Sequence, residues 1–141
     1  MRSQTKTRSS LFLIELIIAV LFFSLGSAVC VQAFTKAHAV TAQAQDLSFA
    51  SSSVSSAANA VKYTDGTLEQ LRVYFPGAFA DGESGVAVCY DSGFAPCEAD
   101  RAAYTLRIRT EPIEGGRSAS IRMDGPDGET IYGLQLTLPT L

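Results

Sequence analysis

A chain of 141 residues is long enough for one small globular domain. Its net charge of −3 excludes the overall basic field that attracts nucleic acid. One His and three Cys, scattered along the chain, exclude the clustered Cys and His ligands of a zinc site.

The N-terminal part combines a basic tip with an apolar run. Residues 1–10 contain three basic residues, Arg2, Lys6 and Arg8, and no acid, whereas residues 11–34 are almost wholly apolar. A helix of about 20 apolar residues crosses the hydrocarbon core of a bilayer. Because basic flanks stay on the cytoplasmic side, the pattern predicts a single-pass protein of the cytoplasmic membrane with its C-terminal domain outside.

Glu15 is the anomaly within the apolar run. An ionised carboxylate in hydrocarbon costs on the order of 3 kcal/mol or more. A simple anchor has no use for such a group, so Glu15 indicates a positively charged partner at the same membrane depth.

The run from Ser10 to Val20, SLFLIELIIAV, with its basic leader, resembles the cleavage and methylation segment of type IV prepilins and type II secretion pseudopilins. The family usually has Gly at position 10 and Ser or Thr at position 12. The resemblance implies that a prepilin peptidase cuts between Ser10 and Leu11 and that the new Leu11 amine is methylated. It also implies that Glu15 pairs with the N-terminal amine of a neighbouring subunit.

Two other interpretations of this segment remain open. One is a signal peptide cleaved after the small-residue sequence Val31-Gln32-Ala33, which would release a secreted domain. The other is a plain signal anchor, which would make the chain a bitopic membrane protein whose small exterior domain binds a ligand and does not polymerise. Cleavage as a lipoprotein at Cys30 is disfavoured by Val29, where a small residue is expected.

The helix is predicted to continue past the membrane as an amphipathic stretch over residues 35–64. No Gly lies between Gly26 and Gly66, and no Pro precedes Pro76. Apolar and small residues recur at alternating steps of four and three, which marks one face of a helix. Its members are Val40, Ala44, Leu47, Ser51, Val54, Ala58 and Val61.

Residues 65–141 are predicted to form an extracytoplasmic head. A short helical turn at residues 67–71 and a loop at residues 76–85 precede four strands at about residues 86–90, 104–109, 119–123 and 130–138. A sheet with one apolar face needs a cover, and the outer half of the long helix is the available one. The fold class is therefore α+β, a long N-terminal helix packed on a four-stranded antiparallel sheet.

Two groups of residues in the head are candidate sites. Cys89 and Cys97 flank a turn-rich stretch and are either two free thiols or a disulfide, which an extracytoplasmic location would permit. Arg107, Arg109 and Arg122 fall on the polar face of adjacent strands, with Arg109 opposite Arg122 if Gly115-Gly116 forms the turn. Glu111 or Glu129 is expected to neutralise them, and an anionic partner such as DNA is the weaker interpretation.

No catalytic or cofactor site is expected. His38 is the only base available to a Ser or Cys nucleophile, and it is predicted to lie on the helix just outside the membrane. Asp124, Asp127 and Glu129 could suggest calcium, but the short loop between them favours a structural turn. The resemblance of the N-terminal segment to type IV prepilins implies instead a structural filament subunit, a minor pilin or pseudopilin of a pilus, secretion or DNA-uptake machine.

Overall fold

Two helices and six strands make up the part of the chain that the structure, a computed structural model, describes. That part comprises residues 3–139, with side chains from residue 8 onwards. The predicted leader includes Met1 and Arg2, and the predicted head includes Thr140 and Leu141; these four lie outside the described residues. In chain order the elements are α1 (Ser3–Tyr63), α2 (Leu68–Tyr74), β1 (Phe79–Ala80), β2 (Gly85–Tyr90), β3 (Pro96–Cys97), a 3-10 turn (Ala99–Arg101), β4 (Tyr104–Ile113), β5 (Gly116–Asp124) and β6 (Thr130–Pro139).

The chain divides into two compact units, Met1–Gln43 and Ala44–Leu141. Over its described residues the first unit is wholly α-helical and belongs to α1. The second unit contains the last turns of α1, helix α2 and every described strand.

Helix α1 ends three residues before a glycine with positive φ. Its last residue is Tyr63, and Gly66 has a φ of +74°. Thr64 bridges the two, because its hydroxyl donates to the carbonyl of Ala60 at 2.8 Å and accepts from the N–H of Gly66 at 3.2 Å. A Cβ at position 66 would lie 2.8 Å from Oγ1 of Thr110, so the close approach also requires Gly.

The strands form one antiparallel sheet in the order β1-β2-β4-β5-β6, with β3 also paired to β2. The predicted α+β class and the packing of the long helix on an antiparallel sheet are confirmed. The predicted number of four strands is wrong, because the described residues contain six. The additional strands, β1 and β3, have two residues each, too few for alternation to be visible in the sequence.

Helix α1 covers the sheet with a stripe of small residues in the second unit. Ala50, Val54, Ala57 and Val61 follow one another at steps of four, three and four, and each is 0% exposed. Small side chains bring the helix close to the sheet, and full burial of a Val, Leu or Ile contributes about 1.5–3 kcal/mol. The buried strand residues opposite the stripe are Val86, Val88, Tyr90, Tyr104, Leu106, Ile108, Ala119, Ile121 and Met123.

The predicted apolar face of this helix is only partly correct. Val54 and Val61 are buried as expected, but Val40 is 59% exposed and Leu47 is 49% exposed. The buried stripe runs through Ala50 and Ala57 instead. Large apolar residues dominate a sequence pattern, whereas close packing on a sheet selects the smaller side chains.

The sheet has a second face, turned away from this core, which we call the outer face. In β2 the core residues alternate with Ala87 and Cys89, which are buried but do not belong to the core cluster. Register places Thr105 beside Cys89 and Arg107 beside Ala87. Both groups of residues singled out in the head therefore belong to the outer face.

Candidate functional site

The side chains of the apolar run of α1 are exposed and have no cover among the described residues. Among the described residues, one helix is long and apolar enough to cross a membrane, Arg8–Tyr63, with a mean hydropathy of 2.4 and no buried residue in its most apolar window. This finding rests on length and composition, and a signal sequence would meet the same criteria. The large apolar side chains of the run are between 49% and 80% exposed; they are Leu11, Phe12, Leu13, Ile14, Leu16, Ile17, Ile18, Val20, Leu21, Phe22, Phe23, Leu25, Val29, Val31 and Phe34.

Ser10, Leu11 and Glu15 all lie on α1 with exposed side chains. Leu11 and Glu15 are four residues apart, so they share one face of the helix about 6 Å apart along its axis. Within residues 8–139 no Lys or Arg forms an ion pair with Glu15. The structure thus presents the Glu15 carboxylate on the surface of an apolar helix, and any cationic partner has to come from outside this part of the chain.

Two hydroxyl side chains of the same helix donate hydrogen bonds to its main chain. Ser24 donates to the carbonyl of Val20 at 2.8 Å, and Thr35 donates to the carbonyl of Val31 at 2.6 Å. Such bonds provide these two hydroxyl groups with an acceptor in the absence of water. The arrangement of Ser24 and Thr35 therefore suits surroundings that are poor in hydrogen-bonding groups.

Cys89 and Cys97 are brought together on the outer face. They are directly paired residues of antiparallel strands β2 and β3, and both are free thiols in the structure. Cys89 is 3% exposed and its Sγ lies 4.0 Å from Oγ1 of Thr105, whereas Cys97 is half-buried. Cys97 also lines a surface hollow together with Phe79 and Arg101, so the Cys97 thiol is accessible whereas the neighbouring Cys89 is buried.

Burial raises the pKa of the Cys97 thiol above its ordinary value. The carboxylate of Asp91 and the neighbouring Cys89 raise this pKa further, Arg101 opposes them, and Asp100 adds a smaller increase. At neutral pH the Cys97 thiol is therefore mostly protonated, and its reactions as a thiolate become faster as the pH rises.

The loop between the two cysteines holds an aromatic side chain against α1. Asp91 organises the loop, because its Oδ1 accepts hydrogen bonds from the N–H groups of Gly93 at 2.9 Å and Ala95 at 3.0 Å. Phe94 has a φ of 65°, in the left-handed region that L-residues seldom adopt. Its ring stacks on that of Phe49 in α1, with centroids 4.4 Å apart.

The three arginines are close together, but their register differs from the prediction. Arg107 is opposite Arg122, and Arg109 is opposite Ser120. The turn explains the difference, because β4 ends at Ile113 and β5 begins at Gly116.

The two loop residues are therefore Glu114 and Gly115, not the two glycines. Gly115 has a φ of +83° and makes the turn. Gly116 serves another purpose, because a Cβ there would overlap the main-chain oxygen of Leu138.

Acidic residues already neutralise most of this arginine cluster. Arg107 forms ion pairs with Asp81 at 2.5 Å and with Asp124 at 3.0 Å, and Arg122 lies 3.5 Å from the same oxygen of Asp124. The hydrogen bond to Asp81 is the largest factor that raises the pKa of Arg107. Neutralisation is thus found as expected, but from Asp81 and Asp124 instead of Glu111 or Glu129.

The loop considered for calcium is a structural turn in this arrangement. Oδ1 of Asp124 accepts from the hydroxyl of Thr130 at 2.9 Å, and its other oxygen faces Arg107 and Arg122. Within the described part of the chain, no group of three His, Cys, Asp or Glu side chains is placed to hold a metal ion. Asp127 and Glu129 are exposed on the same turn.

Two polar contacts of the head carried no signal in the sequence. Arg117 on β5 donates to the carbonyls of Val61, at 2.9 Å, and Thr64 at the end of α1. Tyr104 donates its hydroxyl proton to Asp46 of α1 at 2.7 Å. Each contact joins residues more than 50 positions apart, and a local pattern in the sequence does not reveal such a pair.

Comparisons with protein-family models, curated proteins and solved structures found no match for this chain.

Proposed function

We propose that the chain is a structural subunit, a minor pilin or pseudopilin, of a type IV pilus-like filament or of a related secretion or DNA-uptake machine. The observation that carries the proposal is Glu15, a carboxylate without an ion-pair partner among the described residues, on the exposed surface of an apolar helix. Both the apolar surface and the carboxylate need surroundings that this chain does not itself supply.

A lipid bilayer satisfies only one of these needs. It covers the large apolar side chains, but it leaves the carboxylate at a cost on the order of 3 kcal/mol or more. A neighbouring helix of the same kind satisfies both, because it offers apolar surface along its length and, after cleavage before Leu11, a positively charged amine at its end. Charge pairing in a medium of low dielectric constant then favours one axial position between neighbours.

The processing steps belong to the same proposal. The leader, residues 1–10, keeps the N-terminus in the cytoplasm until a prepilin peptidase cuts between Ser10 and Leu11. The α+β head remains outside and makes contacts specific to the subunit. Other subunits, the peptidase and the membrane are the proposed partners. DNA has only weak support as a partner, because Asp81 and Asp124 already pair with Arg107 and Arg122 on the outer face.

The first experiment is intact-mass and N-terminal peptide analysis of the protein from its native host, with and without an active prepilin peptidase. We expect a chain that begins at methylated Leu11 only when the peptidase is active. A chain that begins at Met1 in both samples would indicate a plain anchor. A chain that begins at Phe34 would indicate a secreted domain, and either result would contradict the filament proposal.

A pair of variants tests the role of the carboxylate itself. Glu15→Ala is expected to remain in the membrane fraction, because the change makes the run more apolar, and to be lost from sheared filaments or from the assembled machine. Ser24→Ala is the matched control, since it removes another polar group from the same exposed helix. Normal assembly of the Glu15→Ala chain would favour the bitopic protein that does not polymerise.

A further inference from the structure

Strand pairing places Cys89 and Cys97 at a distance suited to a covalent bond. Directly opposed residues of antiparallel strands have Cα atoms about 4.5–5.5 Å apart and side chains on one face. A disulfide accepts Cα separations of about 4.4–6.8 Å. Because Cys89 and Cys97 are such a pair, no movement of the main chain is needed to bring them together.

We propose that Cys89 and Cys97 are a modification site, oxidised to a disulfide by thiol–disulfide exchange with a disulfide-containing oxidant. The bond would close the nine-residue loop 89–97 at its base. This inference does not depend on filament assembly, since it rests on strand register, on the accessibility of Cys97 and on the geometry of the loop.

Accessibility gives the two thiols different roles in the reaction. The Cys97 thiolate, in the surface hollow, attacks one sulfur of the oxidant, forms a mixed disulfide and releases the first thiol. The thiolate of Cys89, the cross-strand neighbour, then attacks the sulfur of Cys97 and releases the second thiol. Overall, two protein thiols lose two electrons and two protons, and one oxidant disulfide becomes two thiols.

The bond would act on the loop that carries Phe94. In that loop Phe94 has a φ of 65°, and in this conformation its ring stacks on that of Phe49. Left-handed backbone costs an L-residue roughly 1–2 kcal/mol, so the loop has an intrinsic tendency to open. A covalent link between Cys89 and Cys97 reduces the number of open conformations and thereby favours the stacked position of Phe94.

Oxidised glutathione is the probe for the reaction. The full-length chain, reduced and held in mild detergent, is mixed with it, and the remaining thiols are alkylated and located by peptide mapping. We expect an intramolecular Cys89–Cys97 bond, two molecules of reduced glutathione released per chain, and a single alkylated cysteine, Cys30. The rate should rise with pH. If both thiols stay alkylatable, or if a glutathione adduct persists on Cys97, the proposal is wrong.

Single variants test the order of the two steps. Cys89→Ser should stop at a stable glutathione adduct on Cys97, whereas Cys97→Ser should react slowly because Cys89 is buried. Cys30→Ser is the matched control and should form the Cys89–Cys97 bond as the unchanged chain does. Equal glutathione adduct formation in the two loop variants would contradict the assigned roles.

A stability measurement on the unchanged chain tests whether the disulfide stabilises the loop that carries Phe94. Oxidation should raise the melting temperature of the head by roughly 10 °C, followed by the near-ultraviolet circular dichroism of its tyrosines. The Cys89→Ser, Cys97→Ser double variant should not respond to the oxidant. An oxidised chain that melts at the same temperature as the reduced chain would show that the bond does not hold the loop.

Discussion

Helix α1 contains two stretches that differ in the size of their apolar side chains and in what covers them. Residues 11–34 carry Phe, Leu and Ile side chains, of which Phe23 is 77% exposed. Residues 50–61 carry mainly Ala, Ser and Val, and Val54 is 0% exposed. The second stretch is covered by the sheet of its own chain. The first is not covered within the described residues.

The difference teaches that side-chain size, together with hydrophobicity, separates the two kinds of helix surface in this molecule. A flat sheet accepts a helix with small residues on its face, because the main chains come close and the strand residues fill the space between them. Large side chains at every turn suit a fluid or helical environment, which accommodates them all around the helix.

The largest expected effect is that of a charge in the covered stretch. Val54→Asp would bury a carboxylate without a partner against the sheet and should destabilise the head by about 3–5 kcal/mol. Ser55→Asp, at the next and exposed position, is the control and should change stability by less than about 0.5 kcal/mol. Urea unfolding of the full chain in detergent, followed by tyrosine circular dichroism, measures both. Equal midpoints would contradict the assigned packing of α1.

A charge in the uncovered stretch should weaken membrane association and leave the stability of the head unchanged. Phe23→Arg should leave the unfolding midpoint of the head unchanged, because Phe23 packs on nothing in the described chain. It should weaken membrane association by on the order of 3 kcal/mol, about a hundredfold in partitioning. Carbonate extraction compares it with Phe23→Leu, which should stay in the membrane. Loss of head stability in Phe23→Arg alone would show that the two stretches are not independent.

Arg117 stabilises the C-terminal end of the covered stretch of α1, so its replacement should lower the stability of the head. Its guanidinium donates to the carbonyl of Val61 in the last turn of α1 and to that of Thr64 just after the helix, and a cation there also interacts favourably with the helix dipole. Arg117→Met should cost about 2 kcal/mol in head stability and increase hydrogen exchange of the last turn of α1. Arg122→Met removes an exposed arginine of the same strand and should cost less than about 1 kcal/mol.

Loss of the hydrogen bond between Tyr104 and Asp46 should have the smallest effect on the stability of the head, and this effect should depend on pH. Burial, together with the hydrogen bond to Asp46, raises the pKa of Tyr104 to about 12. A raised pKa means that the contribution of Tyr104 to stability is complete below pH 10 and is lost as the pH rises from 10 through 12.

Tyr104→Phe should therefore lower stability by about 1 kcal/mol at pH 8. It should also lose less stability than the unchanged chain between pH 10 and 12. Unfolding midpoints of both chains across this range measure the difference, which isolates Tyr104 from the other tyrosines. Parallel curves would mean that Tyr104 does not ionise in the way its contacts indicate.

Local features of the sequence predicted most of the architecture. The absence of Gly and Pro between Gly26 and Gly66 predicted the long helix, and alternation predicted β2, β4, β5 and β6. Strands β1 and β3 were missed because two residues cannot show a period. The buried face of α1 was partly misplaced because Ala50 and Ala57 give weaker signals than Val40 and Leu47.

The outer-face sites were predicted as groups but not in their pairing. Cys89 and Cys97 were recognised by the turn between them, and the structure adds that they are in direct register. Which arginine of β4 is opposite Arg122 depends on which two residues form the turn. The sequence allows either Glu114-Gly115 or Gly115-Gly116, and only the first places Arg107 there. Asp81 was missed because its approach to Arg107 depends on a loop that has no pattern of its own.

The sequence separation between the covered stretch of α1 and its cover has a consequence during synthesis. Roughly 70 residues separate Val54 from Met123, so at 5–20 residues per second about 4–14 s pass between their translation. During that interval the stripe of Ala50, Val54, Ala57 and Val61 has been made but the sheet that buries it has not. Because these side chains are small, the unfinished chain exposes little apolar surface along the stripe. This reduces its tendency to associate with other nascent chains or to bind chaperones.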